Sequence, residues 1–460
     1  MGAQSGLSPG DPRQTALDVL LHVDRGTASD RALDRALRAS RLDQRDRALA
    51  TELVYGVLRR RLSLDRRIAS HSRRPLAELD TPVLEALRLG AYQLAHLDRV
   101  PPHAAVDATV NAVKAHARGA AGFVNAVLRT LVREGRAPEA NGRQGQPPGA
   151  DGREAEDEER RSAAFADVPE WWAARWRQRY GDEVAGDWFA STLAPSPLVL
   201  RPHPRVAPED LLERLAGEGI ELEGAPHAPG ALRAVGGSPV VSPLLHEGAF
   251  TLRGEASQLV AALLPLQPAD RVLDVCAGRG GKTLQIAEDT RPALLVASDI
   301  SPWRVAAARR DAIAAHVPEI HHVVADLSVP APFARSFSAV LVDAPCSGLG
   351  TVRRRPELKW RNDVERLRRL AALQRRILDH AADTLAPGGL LLYATCSTEP
   401  EENEDVVDAV LGARTDLERR PVPLPPGTDA RFVADDGYFR TYPLFDDLDG
   451  FFAALLAKTA

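Results

Sequence analysis

The chain has 460 residues, 44% apolar and 26% charged, which allows two or three domains with separate cores and matches an ordinary water-soluble composition. Three cysteines exclude a disulfide framework and suit a reducing cytosol, and no apolar run approaches the roughly 20 residues of a membrane span. The net charge of −5 argues only weakly against nucleic acid, because its distribution decides more than its sum. The first residues, MGAQSGLSPGDPRQ, lack the basic start and apolar stretch of a signal peptide, so a cytoplasmic protein with no membrane partner is expected.

Residues 11–135 read as an all-α domain. Leu17, Leu20 and Leu21 share a helical face, as do Leu49, Leu53, Val54 and Val57, and then Leu84, Leu87, Leu89 and Leu94. Turns fall at Gly26, Arg73-Arg74-Pro75 and Val100-Pro101-Pro102, which leaves about six or seven helices of typical length. Between Asp11 and Gly135, 21 Lys and Arg stand against 15 Asp and Glu, so this module is basic on an otherwise acidic chain. That suits an RNA-docking surface, and it equally suits a helical surface solvated by arginine. The stretches TALDVLLHVDRG, RDRALATELVYGVLRRRLSLD, TPVLEALRLGAYQLAHLDRVPPHAAVDATVNAVK and GFVNAVLR resemble the NusB-like RNA-binding domain. The resemblance implies RNA binding through phosphate contacts, although that fold also serves protein partners.

Residues 136–163, which include NGRQGQPPGADGREAEDEERR, combine glycine, proline and mixed charge with almost no apolar residue. A flexible linker is expected there. Residues 164–250 read as a small α+β subdomain. Trp171, Trp172, Trp176, Tyr180 and Trp188 fall at helical spacing, which favours a small core over a base-stacking surface. The strand-like Leu198-Val199-Leu200-Arg201 and an amphipathic helix around Leu211 to Leu215 follow. This region resembles the RNA-capturing subdomain that precedes the catalytic domain of RNA cytosine methyltransferases. The usual Arg-x-Asn of that subdomain stands here as Arg201-Pro202-His203.

From residue 251 to 460 strands and helices alternate, the mark of a parallel sheet covered on both faces. Candidate strands are 271–275, 294–298, 321–325, 338–342 and 389–395, with a long helix at about 363–385. Two further strands, near Tyr438–Pro443 and Phe451–Leu456, close the chain. The expected class is α/β: a Rossmann-like, seven-stranded, mostly parallel sheet with an antiparallel final strand, preceded by the α+β subdomain and the all-α bundle.

Chemistry concentrates at the carboxyl ends of these strands. Cys276, Ala277, Gly278, Arg279, Gly280, Gly281 and Lys282 form a glycine turn between a strand and a helix, where backbone can approach a ligand closely. Counting excludes a Walker A loop, since Cys276 stands where its first glycine belongs. A dinucleotide fingerprint fails too, because Thr283 replaces its third glycine. A nucleoside-binding turn without a phosphate requirement remains, as S-adenosyl-L-methionine would need. Asp299 lies about 20 residues on, at the distance of a ribose-binding carboxylate. Asp326 ends the next strand, placed to meet an adenine amino group. A lone aspartate at a strand end is more often a cap or turn residue. The ordered series Asp274, Asp299, Asp326 and Asp343 makes that reading poor for the set. No metal-ligand cluster accompanies His321 and His322.

Two cysteines, Cys346 in DAPCSGLGT and Cys396 in YATCSTEPEEN, sit at matching strand ends. Methylating C5 of a pyrimidine requires a thiolate to attack C6, a carboxyl group on the N3/N4 edge, and a base for the C5 proton. Cys396, Asp343 and Cys346 meet those needs, whereas two inert structural thiols would not need polar turn residues around both. Thr398-Glu399-Pro400-Glu401 has the form of a capping box, so a helix start beside Cys396 is expected.

The motifs GEASQLV, DVCAGRGGKT, SDIS, ADL, DAPCSGLGT, RRPELKW and YATCSTEPEEN resemble the RNA (cytosine-5)-methyltransferases in order and spacing. The resemblance implies Cys396 as nucleophile, Cys346 as the cysteine that assists release, and Asp343 as a carboxylate contacting both cytosine and cofactor. It implies S-adenosyl-L-methionine held by Cys276 through Lys282, Asp299, Asp326 and Asp343. One departure is Arg279, where the family has a rigidifying proline. Together with the NusB-like bundle, the resemblance implies an enzyme acting on a cytosine of 16S ribosomal RNA, with tRNA or another RNA as the alternative substrate; a monomer is expected. DNA is disfavoured, because the resemblance implies that DNA enzymes lack the later Thr-Cys-Ser. A catalytically weak RNA-binding assembly factor is the other reading, favoured by Arg279 and opposed by the intact cysteine pair.

Overall fold

A computed structural model of the chain describes residues 10–135, 150–317 and 319–459. The chain divides into two units: Met1–Ala194 with Val352–Arg361, and Pro195–Thr351 with Asn362–Ala460.

The first unit is helical. Its first seven helices are α1 (Pro12–Asp24), α2 (Ser29–Ala39), α3 (Gln44–Arg59), α4 (Arg61–Ala69), α5 (Thr81–His96), α6 (Pro102–Ala117) and α7 (Ala121–Glu134). Local chemistry sets their starts. Asp11 accepts from Arg13 N at 2.7 Å with Pro12 opening α1, and Asp43 accepts from Asp46 N at 2.8 Å to start α3. Leu17, Leu53, Leu87 and Leu128 are fully buried in one core, each burial worth about 1.5–3 kcal/mol before entropy. A Cβ on Gly56 would lie 2.0 Å from Tyr92 Cζ, so α3 and α5 meet only because residue 56 lacks a side chain.

The expected linker needs correction. Residues 136–149 lie outside the described residues, but Ala150–Phe165 form a helix, α8, packed on α9 (Glu170–Leu193). Its alanine, glutamate and arginine have high helix propensity, and Gly186 on α9 lets the Arg161 stem lie flat, a Cβ there being 2.7 Å from Arg161 Cβ. Trp172, Trp176 and Trp188 are buried, with the Trp176 and Trp188 rings stacked at 4.4 Å, as the core reading expected. Trp171 is half-buried and Tyr180 exposed. Both α8 and α9 fall in the helical unit, whereas the sequence reading grouped residues 164–193 with the subdomain that follows.

Residues 352–361, from the RRPELKW stretch, belong to this same unit and cap its helices. Glu357 accepts from Ser29 N at 3.1 Å and Ser29 Oγ at 2.7 Å, at the start of α2. Lys359 Nζ donates to Arg59 O at 2.8 Å and Asp167 O at 3.0 Å, and Trp360 Nε1 to Leu58 O at 2.9 Å, at the end of α3. Arg361 donates to Val23 O in the last turn of α1 and to Thr27 O just beyond it, both at 2.6 Å. A carboxylate thus meets a helix amino terminus and N–H donors meet carboxyl-terminal carbonyls, each matching the helix dipole.

The second unit holds two sheets. β1 (Val199–Pro202), β2 (Glu221–Gly224), β3 (Leu232–Gly236) and β4 (Phe250–Leu252) form an antiparallel sheet in the order β2-β3-β1-β4. Leu200 and Phe250 bury its face against Leu211 and Leu215 of helix Pro208–Gly217. The larger sheet contains β5 (Arg271–Asp274), β6 (Leu294–Asp299), β7 (His321–Val324), β8 (Phe337–Asp343), β9 (Leu385–Thr395), β10 (Leu417–Arg420), β11 (Phe439–Thr441) and β12 (Phe451–Lys458). Its order is β10-β12-β9-β8-β5-β6-β7, with β11 pairing β12. The five strands from β9 to β7 are parallel, and β12 is antiparallel between β9 and β10. The strand order reverses between β5 and β8, so a crevice opens at their carboxyl ends, where open α/β sheets bind ligands. Among the described residues no helix is long and apolar enough to cross a membrane.

Candidate active site

Register brings the two cysteines together. Asp343 on β8 pairs with Ala394 on β9, and Ala344 N continues the ladder to Ala394 O at 2.8 Å. Each strand then turns within three residues, leaving Cys346 Sγ 3.3 Å from Cys396 Sγ, both half-buried and neither in a disulfide. Gly350 N donates to Cys396 O at 3.0 Å, and Gly450 N donates to Gly350 O at 2.7 Å. This crossing is tight: a Cβ on Gly350 would lie 2.0 Å from Gly450 O, and one on Gly450 2.8 Å from Thr398 Cγ2. Gly450 was not singled out in the sequence, because its need for no side chain arises only from that distant backbone.

Glu402 lies beneath both cysteine loops, fully buried, with its carboxylate bonded to Ser347, Ser397 and Gln374. The expected capping box is not formed. Thr398 Oγ1 has no hydrogen-bond partner, Pro400–Glu402 make a single 3-10 turn, and the helix proper is Glu404–Ala413. Proline at 400 and the inward pull on Glu402 divert the chain before a regular helix can start. The Cys346 thiol is held well above the usual range by its hydrogen bond with Cys396, then by burial and the nearby Glu402. Cys346 therefore keeps its proton and can donate it toward a Cys396 thiolate.

The glycine turn closes the other side of the crevice. Gly278 and Gly280 adopt left-handed φ values of +60° and +78°, and Gly280 stands at the start of helix Gly281–Asp289 with no side-chain cap. A Cβ on Gly280 would lie 3.2 Å from Ala308 Cβ, so the loop presses against a neighbouring helix. Ala277 N donates to Ser298 O at 2.9 Å, fixing the turn to β6. Asp274 is buried at the end of β5, accepts from Thr283 Oγ1 at 2.6 Å, and keeps its second oxygen without a partner. Burial pushes its pKa up to about 7. Cys276 is also raised, first by burial and then by Asp274, Asp299 and Asp343, so it is a neutral thiol rather than a third nucleophile.

Lys282 Nζ reaches Asp343 Oδ2 at 2.6 Å and lies 5.4 Å from the Phe451 ring centroid. The sequence placed Lys282 with the cofactor loop and gave no sign of this ion pair. Asp299 accepts from Gly278 N at 3.1 Å and Ser301 N at 2.8 Å, with Arg304 at 3.5 Å. Asp326 accepts from Ser328 N at 2.8 Å, and hydrogen bonding from the Ser328 side chain, then from its backbone, holds the carboxyl below the usual range. Arg279 points outward to an exposed pair with Asp311 at 3.0 Å. Asp274, Asp299 and Asp343 thus gather around Cys276 and Lys282, while Asp326 is tied to its own turn. The unpartnered oxygen of buried Asp274, with Asp299 and Asp343 nearby and an uncapped glycine turn beside them, fits a cationic nucleoside ligand.

A separate cavity of about 430 Å³ opens at the other ends of the strands, lined by His203, Arg205, Leu294, His316 and His321. Arg291 and His316, at positive φ, follow the ends of helices Gly281–Asp289 and Pro302–Ala314, as left-handed helix-terminating residues do. His203 bonds Ala315 O at 3.0 Å and accepts from Arg205 N at 3.1 Å, and Arg201 pairs with Glu288 and Asp289.

Three family models match the chain. They are the NusB family over residues 11–133, the RsmF/B-like ferredoxin-like domain over 168–240, and the 16S rRNA methyltransferase RsmB/F family over 261–457. The chain is 32% identical to a probable ribosomal RNA small subunit methyltransferase B of Bacillus subtilis, over 97% of this chain and 98% of that protein. It is 36% identical to the ribosomal RNA small subunit methyltransferase B of Thermus thermophilus, over 90% and 91% of the two. Among solved structures it resembles PH0851 with a TM-score of 0.80 and 23% identity, over 97% of this chain and 99% of that one.

Proposed function

Because the chain belongs to the ribosomal RNA small subunit methyltransferase B family, we propose that it methylates C5 of one cytosine in 16S ribosomal RNA. It acts in the cytoplasm as a monomer, and the transfer passes through a covalent bond between Cys396 and the base. The observation that carries this reading is the 3.3 Å Cys346–Cys396 pair beside the Lys282–Asp343 ion pair.

Residues Cys276 through Lys282, Asp299, Asp326 and Asp343 would hold S-adenosyl-L-methionine. When bound, it supplies an electrophilic methyl group on a sulfonium sulfur, whose positive charge suits the carboxylates of the crevice. The chain's own work is on the base. Cys396 Sγ adds to C6, and the ring electrons shift to C5, which can then take a methyl group. Asp343 accepts from the exocyclic amino group, and the ammonium of Lys282 offsets the charge that addition places on the ring. Release requires the C5 proton to leave and the C6–S bond to break with its electron pair returning to Cys396. For release Cys346 first gives up its proton to water, and the thiolate so formed, of raised pKa, is a strong base that takes the C5 proton as the C6–S bond breaks. The resulting thiol then donates to the departing sulfur.

The helical unit and the ferredoxin-like sheet bind the RNA in this reading. The test is bisulfite sequencing of 16S ribosomal RNA and tRNA after incubation with the full-length protein and S-adenosyl-L-methionine. One newly protected cytosine in 16S RNA is expected. Protection confined to tRNA would replace the substrate, and no protection anywhere would remove the activity.

A further inference from the structure

Glu402 takes no part in the steps above, yet its carboxylate is bonded to the residues that follow both cysteines. It is fully buried. One carboxylate oxygen accepts from Ser347 Oγ and Ser397 Oγ, each at 2.5 Å. The other accepts from Ser347 N at 2.7 Å and Gln374 Nε2 at 3.2 Å. Ser347 directly follows Cys346 and Ser397 directly follows Cys396. Gln374 also donates to Pro345 O at 2.9 Å, just before Cys346. The two serine oxygens lie 3.3 Å apart, the same separation as the two sulfurs.

Burying a carboxylate is costly, and a well-packed apolar group usually serves stability as well or better. An acid needed only to anchor the chain could use backbone donors alone. Here one oxygen bridges the side chains next to both thiols, so a single atom ties the two cysteine loops to each other. We propose that Glu402 is a positioning residue that sets the spacing of Cys346 and Cys396, acting through Ser347 and Ser397. The proposal rests on the reading of those cysteines as the reacting pair.

Length and charge separate this role from a general structural one. Glu402→Gln keeps the reach and can bond both hydroxyls. Glu402→Asp keeps the charge but is one methylene too short to span them. Double substitution of Ser347 and Ser397 by Ala spares the carboxylate's backbone bond and removes the bridge. The first measurement needs no RNA: full-length protein is treated with a bifunctional thiol-alkylating reagent, and the Cys346–Cys396 cross-link is quantified by mass spectrometry. Wild type and Glu402→Gln should cross-link at similar rates, whereas Glu402→Asp and the double serine variant should fall on the order of tenfold. The second is single-turnover methyl transfer, expected to drop on the order of a hundredfold in Glu402→Asp and to return within about tenfold of wild type in Glu402→Gln. Thermal unfolding confirms that each variant is folded. Wild-type cross-linking in Glu402→Asp and in the double serine variant would overturn the proposal. So would recovery by Asp with loss in Gln, which would assign the effect to charge. If the cross-linking pattern holds and no variant, wild type included, methylates RNA, then the assigned reaction fails while the positioning role stands.

Discussion

Lys282 Nζ stands 2.6 Å from Asp343 Oδ2, although 61 residues separate them in the chain. The lysine comes from the first turn of helix Gly281–Asp289 and the aspartate from the end of β8, so the pair spans the point where the strand order reverses. In the proposed reaction Asp343 meets the base and Lys282 supplies the ammonium bonded to it. Lys282→Met should lower single-turnover methyl transfer by roughly a hundredfold, the usual cost of removing one charge-stabilising donor. The circular dichroism spectrum should not change. Activity within a few-fold of wild type would remove Lys282 from the chemistry.

The thiol pair yields two opposite results. Cys396→Ala should abolish methyl transfer and any covalent protein–RNA species. Cys346→Ala should still allow addition while release stalls, so a protein–RNA adduct should accumulate and be visible on a denaturing gel. Their 3.3 Å contact means each substitution also alters the other thiol's surroundings. For that reason the readout is adduct present or absent, rather than a rate. An adduct in Cys396→Ala would exchange the two roles.

How far the sequence carried differs by length scale. Strand ends were legible, because apolar runs such as Ala339–Val342 stop abruptly at a carboxylate or a cysteine, and both cysteines then fall at one edge of the sheet. The partners of those residues were not. Nothing in Glu399, Glu401 and Glu402 says that the first and last turn inward while Glu401 does not; a 3-10 turn decides it. RRPELKW reads as part of the catalytic region, yet Glu357, Lys359 and Trp360 cap helices α2 and α3. Helix ends with no local cap, as at Ala28, are filled from far along the chain, beyond the reach of periodicity. The linker erred for a related reason: α8 is stabilised by Gly186 and Phe189 on α9 and carries little apolar signal of its own.

Asp274 makes stability depend on pH. Burial raises its pKa from 3.8 to about 7 in the folded chain, so the folded state holds a proton that the unfolded state releases. The contribution is fully present below pH 3.8 and is lost as pH rises through 7, amounting to roughly 4 kcal/mol at most. Asp274→Asn keeps an oxygen for Thr283 and removes the titration. Urea unfolding at pH 4.5, 6 and 7.5 should show the variant gaining stability relative to wild type as pH rises. A constant difference would show that Asp274 titrates as an ordinary carboxyl.

Lys359 carries the opposite sign. It is fully buried, and burial lowers its pKa from 10.5 to about 7, with its amine between Arg59 O and Asp167 O. A depressed lysine favours the folded state most when neutral, so wild type should gain stability relative to Lys359→Met between about pH 7 and 10. The gain should be absent below pH 6. Denaturation across that range, read by tryptophan fluorescence, checks it, and a flat difference would mean that the buried amine stays charged.

Gly350 and Gly412 test whether space or chain flexibility governs glycine in this fold. A Cβ on Gly350 would sit 2.0 Å from Gly450 O, a backbone atom that cannot rotate away, and Gly350 N holds Cys396 O. Gly350→Ala should therefore destabilise by roughly 3 kcal/mol or more and impair adduct formation, since the Cys396 loop must move with it. Gly412 lies in helix Glu404–Ala413, and a Cβ added there would have nothing within 4 Å. At that position alanine restricts only the unfolded chain and should stabilise by about 0.5–1 kcal/mol. Opposite signs in paired urea titrations are expected. Two small changes of the same sign would mean that the Gly350–Gly450 crossing is looser than the structure makes it.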